Sequence, residues 1–592
     1  MSAPTDRDPQ LVWTEADEPR SGRFDDVYFS AEDGLAETRA VFLQGCGLPD
    51  AWKDRPHFTI AELGFGTGLN IVAVLDLWQR TRTSGQRLSL FSVEGFPLVS
   101  EEARRALSHW PEVASSAEAL LSGWPASTPG FHRIDLPGFA ATLDLAIGPV
   151  DRALAQWSGR ADAWFLDGFS PATNPDMWSE AVMDAIAARS APDARIATFT
   201  VAGDVRRRLS DRGFVVEKMP GHGRKRQRLE ARLRGTGLPD PAPASIAIVG
   251  AGIAGASVAR ALAAHGVSAA VYESSGPGHG ASGFPAALVT PRFDLRDGTI
   301  AALFAQALER AGALYRDIPD AVLAHGVVQK PGSERDQARF ARIVDQPIWD
   351  RGAVRLDDQG DLVMRDALTV APAAILAHWL GQAVIKPGKV SSIVPDGSGW
   401  TLLSAGGQTL AEVETVVLCA GAGNADLIPG VTLSPVRGQA DWILHARPVA
   451  TAWGGYVAPT RDGFLFGATH DRDETTTEVR AADTIRNLAT LAARFPDLAA
   501  SVDPATVTSR AAIRATTRDR LPVCGAVPDQ PGLIVLGGLG SRGFCLAPLL
   551  AEHLVARALG RPSPLPADIA NRIALMRTAL QALAEPSVRQ DD

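Results

Sequence analysis

A chain of 592 residues is too long for one hydrophobic core, so two or more domains are expected. With 46% hydrophobic and 21% charged residues it is an ordinary globular chain, and a net charge of −9 excludes a global field that would gather nucleic acid. The four cysteines, Cys46, Cys419, Cys524 and Cys545, form no CxxC pair; this excludes a zinc ribbon or disulfide framework, predicts no metal, and fits a reducing cytoplasm. The opening "MSAPTDRDPQLVW" lacks an apolar leader segment, and no apolar run reaches membrane-spanning length, so a cytoplasmic enzyme without a membrane partner is expected.

The first elements come in a βα rhythm. "FDDVYFSAEDGLAETRAVFL" (24–43) mixes aromatics and acids and then turns helical. A short apolar run, "FTIAEL", leads into "GFGTGLN" and a helical "IVAVLDLWQR". Strand-like "LSLFSVEGF", "ADAWFLDGF", "ARIATFT" and "GFVVEKM" follow, and strands alternating with helices predict a doubly wound, mostly parallel sheet. Glu62 precedes Gly64, Gly66 and Gly68, and Glu94 closes the next strand about 30 residues later. This pattern resembles the first motif of class I S-adenosylmethionine methyltransferases, which implies that Glu62 and the three glycines hold the cofactor and that Glu94 binds its ribose. A nicotinamide site is the rival, disfavoured by the acid before the glycines.

The strand-like run "ADAWFLDGF" leads into "WFLDGFSPATNPDMWS" (164–179), where an apolar run ends on Asp167 before a stiff aromatic loop. Asp167 is the candidate catalytic group. Pro171, Pro175 and Trp178 read as a rigid lip, with Phe169 and Trp178 able to stack on an unpaired base. Residues 204–234 carry 11 Lys and Arg, and the run Arg224, Lys225, Arg226, Arg228 sits between two strand-like pieces as a hairpin tip would. Such a tip can meet RNA phosphates. The Pro-rich "GTGLPDPAPAS" then reads as a linker, which divides the chain into 1–235, a linker at 236–245, and 246–592.

The second unit opens with "IAIVGAGIAGASVARALAAHGVSAAVYE". Gly250, Gly252 and Gly255 form a GxGxxG turn between strand and helix, and Glu273 closes the next strand 23 residues past Gly250. The glycines let the backbone approach a pyrophosphate, and the acid accepts from a ribose; NAD and FAD both fit. "VVLCAGAGN" and the closing "GGLGSRGFCLAP", with Gly540 and Gly543, favour FAD. With "GASG" (280–283), "VRGQ" (436–439) and "RATTRDRLPVCG" (514–525), residues 246–560 resemble the amine-oxidase family that includes D-amino acid oxidase, sarcosine oxidase and glycine oxidase. That resemblance implies an FAD-binding Rossmann domain with an α+β substrate domain, noncovalent FAD, and a substrate carboxylate held by arginine. Arg514 and Arg542 are the candidates for that clamp, and Tyr456 for a hydroxyl donor.

Together, "FDDVYFS … GLAETRAVFL", "ELGFGTGLN", "VEGFPL" and "FLDGFSPATNPDMW" resemble one family across nearly the whole chain: the bifunctional tRNA 5-methylaminomethyl-2-thiouridine biosynthesis proteins. The resemblance implies a methyltransferase half fused to an FAD-dependent oxidoreductase half, acting on a wobble uridine in a tRNA anticodon loop. The second half would remove a carboxymethyl group as glyoxylate, and the first would methylate the amine left behind. Asp167 then reads as an acceptor that aims the amine lone pair at the methyl donor. Each half can form its own core, so a monomer is expected. The rivals are a small amino acid oxidase fused to an unrelated methyltransferase, and an RNA-binding protein whose FAD is structural.

Overall fold

The computed structural model describes residues 8–29, 34–223, 226–235, 243–397, 399–428, 431–445 and 447–577. The chain forms two compact units, Met1–Asp240 with Gly560–Ala567, and Pro241–Leu559 with Asp568–Asp592. The stretch Gly560–Ala567 therefore groups with the first unit, whereas the sequence division placed it in the second. Most of the linker, residues 236–242, lies outside the described residues.

The first unit is built on an eight-stranded sheet. Its centre is the strand His57–Leu63, buried at every position and paired in parallel with Arg87–Glu94 on one side and Ala161–Leu166 on the other. Phe58 and Ile60 face one hydrophobic cluster, Ala61 and Leu63 the other, so both faces are covered. Helix Leu69–Thr81 lies in the first cluster through Ile71, Val72, Val74 and Trp78. Helix Glu180–Ala188 lies in the second through Val182, Met183 and Ile186. From the central strand the chain steps first to one neighbour and later to the other. That reversal opens a crevice at the strands' carboxyl ends, where ligands of such sheets bind. Two further strands, Gly130–Leu136 and Ala141–Ile147, pair antiparallel at one edge and had no counterpart in the sequence reading. Arg133 and Asp144 form a buried ion pair between them at 2.7 Å, and Arg133 Nη2 also donates to the Pro562 carbonyl of the returning segment at 3.4 Å. At the other edge Phe214–Pro220 and Gln227–Leu233 form an antiparallel hairpin.

The second unit combines two main sheets. In the six-stranded one, Val384–Pro387, Ala270–Glu273, Ile246–Val249, Thr415–Leu418 and Leu533–Gly537 run parallel, and Val523–Ala526 pairs antiparallel at the edge. Helices Ile253–Ala264 and Gly543–Ala558 pack on it, and Glu552 of the second is buried against Arg260 and Arg310. The ten-stranded sheet includes Leu362–Val370, Val322–Gln329, Tyr456–Pro459, Gly463–Gly467, Ser434–Leu444 and Thr508–Thr516. Among the described residues no helix is long and apolar enough to cross a membrane. No cluster of three or more His, Cys, Asp or Glu is arranged to hold a metal there either.

Candidate functional site

In the first unit the three acids singled out in the sequence lie at neighbouring strand ends, with Glu94 and Asp167 at the crevice and Glu62 buried behind them. Glu62 and Glu94 end adjacent strands, and Asp167 follows the third, its N–H donating to the Leu63 carbonyl at 3.0 Å. The glycine loop fits because it has no side chains. Gly64 has φ +96°, and a Cβ there would lie 2.6 Å from the Asp167 carbonyl oxygen. The Gly66 N–H donates to Glu94 Oε2 at 2.8 Å and the Phe96 N–H to Glu94 Oε1 at 2.8 Å. Burial raises the Glu94 pKa, and these two N–H groups pull it back. The Glu94 carboxylate thus stands clamped at the strand end.

Glu62 is a correction. It is 0% exposed and does not reach the crevice surface, so it cannot touch a cofactor directly. Its Oε2 accepts from Ser92 Oγ at 2.6 Å and its Oε1 from Asn70 Nδ2 at 3.0 Å. Burial pushes its pKa up to about 8. Asn70, the last residue of "GFGTGLN", had no assigned role in the sequence reading. Its Nδ2 also donates to Asp167 Oδ2 at 2.7 Å, and its Oδ1 accepts from Thr38 Oγ1 at 2.9 Å. Asn70 therefore ties the buried Glu62 to Asp167 and sets where that carboxylate points.

Trp178 is a second correction. It is 3% exposed, sits in the core under the loop, and donates Nε1–H to the Phe169 carbonyl at 2.9 Å. A ring so buried cannot stack on a base; it props up the loop from below. Phe169 is half-buried and belongs to an aromatic rim the sequence did not reveal. Its ring lies 4.9 Å from Phe24 and 5.3 Å from Tyr28, and Phe24 lies 5.6 Å from Phe96. Arg23 sits over Phe96 at 4.4 Å.

Five of the 11 cations in the basic stretch 204–234 are paired with acids, while Arg206, Lys218, Arg226 and Arg234 are exposed. Arg207 pairs with Asp204, Arg208 with Glu180, Arg212 with Glu180 and Asp184, Arg228 with Glu230, and Arg232 with Asp193. Arg226 is exposed at the hairpin end, while Arg224 and Lys225 lie outside the described residues.

The second unit contains a cavity of about 1020 Å³ lined by Gly250, Gly252, Glu273, Tyr456, Arg514, Gly540, Arg542 and Gly543, among others. The glycine turn is tight: a Cβ on Gly255 would lie 1.9 Å from the Gly250 carbonyl oxygen, and one on Gly250 2.6 Å from that of Cys419. Glu273 accepts from the Ala251 N–H at 2.8 Å and the Ser275 N–H at 3.0 Å. Ser282 Oγ accepts from the Ile253 N–H at 3.0 Å, joining the "GASG" loop to the turn.

Arg514 donates Nη2–H to the Thr469 carbonyl at 3.1 Å, and burial lowers its pKa. It lies across Gly438, where a Cβ would come 1.6 Å from Nη2; the glycine of "VRGQ" is what makes room for the guanidinium. Arg542 is held by Thr290, through its carbonyl at 3.3 Å and its hydroxyl, and burial lowers its pKa as well. Neither cation has an ion-pair partner among the described residues. Arg510, absent from the sequence prediction, also lines the cavity and donates to the carbonyls of Gly278, His279 and Gly280, bracing the loop ahead of "GASG".

Residues 245–557 match the model of the FAD dependent oxidoreductases, and residues 111–234 that of an S-adenosyl-L-methionine-dependent methyltransferase family. The chain is 53% identical over 586 residues to the tRNA 5-methylaminomethyl-2-thiouridine biosynthesis bifunctional protein of Caulobacter sp. (strain K31), covering 96% of each chain. It belongs to that family. The Maricaulis maris (strain MCS10) member is 42% identical, with 93% of each chain covered. Among solved structures, glycine oxidase from Geobacillus kaustophilus is 26% identical with a TM-score of 0.47, covering 53% of this chain and 94% of that one.

The residues present fit both cofactors of this bifunctional family. The turn Gly250–Gly255 meets the N-terminus of helix Ile253–Ala264, whose N–H groups favour a pyrophosphate, and Glu273 stands at the adjacent strand end. The cavity extends from there to the second helix start at Gly543, enough for an extended dinucleotide. In the first unit the crevice offers the bent loop Gly64–Gly68 and the clamped Glu94.

Proposed function

We propose that the chain modifies a tRNA wobble uridine in two steps, with the S-adenosylmethionine-dependent step in residues 1–235 and the FAD-dependent step in residues 246–592. The substrate of the second half is a uridine bearing a 5-carboxymethylaminomethyl group, whose side chain is an N-substituted glycine. FAD supplies a two-electron acceptor, and S-adenosylmethionine an electrophilic methyl group. A hydride, one proton with two electrons, would leave the glycine methylene carbon and a proton the nitrogen, and water would hydrolyse the imine. Glyoxylate departs and the aminomethyl group remains. The primary amine would then attack the donated methyl carbon, the N–C bond forming as the S–C bond breaks and the neutral thioether leaves, and loss of a proton from nitrogen would give methylaminomethyl.

The observation that carries this reading is the pair of desolvated guanidinium groups, Arg514 and Arg542, in a dinucleotide-sized cavity without a carboxylate partner among the described residues. A buried cation without a partner is costly, and a substrate carboxylate supplies the missing anion. Arg514 clamps that carboxylate, with Tyr456 on the same wall and Arg542 at the start of the closing helix.

In the first half Asp167 accepts from the N–H groups of the incoming amine, and Asn70 sets its direction. An alkylamine has a pKa of about 10 and an ordinary aspartate about 4, so proton transfer to Asp167 is uphill by roughly 8 kcal/mol. Aiming the lone pair is therefore its first role. Phe169, Phe24 and Tyr28 present ring edges and faces on which the uridine can rest.

The test is mass analysis of wobble uridine after incubating the protein with carboxymethylaminomethyl-bearing tRNA. The aminomethyl form should accumulate without S-adenosylmethionine and the methylated form with it. Persistence of the carboxymethyl form in both samples would refute the assignment.

A further inference from the structure

Three strands and the turn after one of them bring cations together beside Arg514, which lines the cavity. In the register of the ten-stranded sheet, Val436 faces Arg472 on one side and Arg514 on the other. Residues directly opposite in antiparallel pairs point to the same face, so Arg472 and Arg514 flank Val436 on one face, and of the two Arg514 reaches the cavity. The next residue shows the alternation: Asp471 pairs with Arg437 on the far face, where Arg486 also holds it.

Arg472 is exposed, as are His470 and Arg520, the latter in the turn closed by its own N–H to the Thr517 carbonyl at 3.1 Å. Partial desolvation lowers the His470 pKa, and Arg514, Arg472 and Arg520 all lie close enough to lower it further. The nearby acid, Asp471, is already engaged by Arg437 and Arg486. Neither Arg472 nor Arg520 has an ion-pair partner among the described residues. Crowded like charges repel, and an anion between them reverses the sign.

We propose that Arg472 and Arg520 form a phosphate seat for the nucleotide whose base enters the cavity toward Arg514. The proposal rests on the function assigned above. Two strand spacings separate Arg472 from Arg514, roughly 10 Å. A uridine C5 substituent and the same nucleotide's phosphate are separated by a comparable reach across base and ribose. Arg514 thus takes the carboxylate inside and the outer pair takes the backbone, so the oxidoreductase half distinguishes a polynucleotide from a free N-substituted glycine. Phosphate contacts of this kind give affinity and position and carry no sequence information.

The experiment compares wild type with the double variants Arg472→Ala/Arg520→Ala and Arg472→Lys/Arg520→Lys. Two probes are used: an anticodon stem–loop RNA carrying 5-carboxymethylaminomethyluridine, and the same modified nucleoside without phosphate. Flavin bleaching reads oxidation, and anisotropy of the labelled RNA reads binding. For the alanine pair, kcat/KM on the RNA should fall about 10-fold or more, and the slope against salt concentration should flatten by about 0.7, for one phosphate contact in a single-stranded loop. On the nucleoside kcat/KM should stay within about 2-fold, since no phosphate is present. The lysine pair should recover most of the loss, because a point charge still meets a phosphate. An unchanged RNA kcat/KM and salt slope would overturn the seat; so would an equal loss on RNA and nucleoside. If wild type oxidises neither probe, the assigned function fails by itself. The seat is then judged by anisotropy alone, where an unflattened salt slope in the alanine pair overturns it.

Discussion

Asn70 has one side-chain amide group and two carboxylates to serve. Its Nδ2 reaches both Glu62 and Asp167, and Thr38 fixes the other end of the amide. Asn70→Ala removes one restraint on Asp167 while leaving the glycine loop intact. Methyl-transfer kcat should fall about 10- to 100-fold, as expected when a reacting group loses its aim, with the KM for S-adenosylmethionine nearly unchanged. Steady-state kinetics on aminomethyl-bearing RNA would show it. Glu62 gives a different signature. Its folded pKa of about 8 exceeds its ordinary 4.5, so the folded state holds a proton that the unfolded state has lost across that window. This stabilisation is complete below 4.5 and is lost as pH rises through 8. Glu62→Gln should flatten that decline in melting temperature between pH 5 and 8. The glycines and Asp167 were legible because strand ends and φ-positive turns leave local signatures. Trp178 was not, because a tryptophan in a proline-rich loop reads as exposed until the core beneath is known. Asn70 was written within the quoted motif, but its three partners lie 8, 32 and 97 residues away.

The strand Ser434–Leu444 inverts the usual reading of alternation. Its polar residues Arg437, Gln439 and Asp441 are each 0% exposed, where a polar face is normally taken to be the wet one. Apart from the Arg437 Nε, they are paired from helix Ala481–Ala492 and its approach: Asp483 pairs with Arg437 at 2.5 Å, the Arg480 carbonyl accepts from Gln439 at 3.0 Å, and Asn487 donates to Asp441 at 2.6 Å. The opposite face carries Val436, Gly438 and Ala440, on the side where Arg514 lies. Periodicity cannot announce a buried polar seam, since the burial comes from a helix some 40 residues downstream. The same strand yields a sharp test. Gly438→Ala places a methyl group where Arg514 lies and should displace the guanidinium. Bound FAD should be retained, while the KM for the carboxylated substrate rises about 10-fold or more, through loss of a charge-assisted contact. Flavin absorbance and turnover measured on one preparation separate the two effects.

At the level of the whole chain, both cofactor units and the βα rhythm of the first were readable from motif and period, and the family resemblance tied them together. The edge strands Gly130–Leu136 and Ala141–Ile147 were not readable, because a histidine, an arginine and two aspartates interrupt them, and Arg133 and Asp144 become acceptable only by pairing. Two separate sites predict separable losses. Asp167→Ala should stop modification at aminomethyluridine, and Arg514→Ala should leave the carboxymethyl form while still methylating aminomethyl RNA supplied directly. Mass analysis of the two products would detect any crossover.

The segment Gly560–Ala567 places a condition on how the protein comes into being. Ser563 and Leu565 are fully buried, and the segment groups with the first unit, yet it is synthesised about 320 residues after Asp240. At ribosomal speeds of roughly 5–20 residues per second, the methyltransferase fold stands for tens of seconds without its last piece. A nascent chain caught in that interval has the S-adenosylmethionine crevice complete and the edge around Arg133 uncapped. Maturation of the first half thus waits on the second being translated, and a message truncated anywhere in the oxidoreductase half yields an unfinished methyltransferase as well.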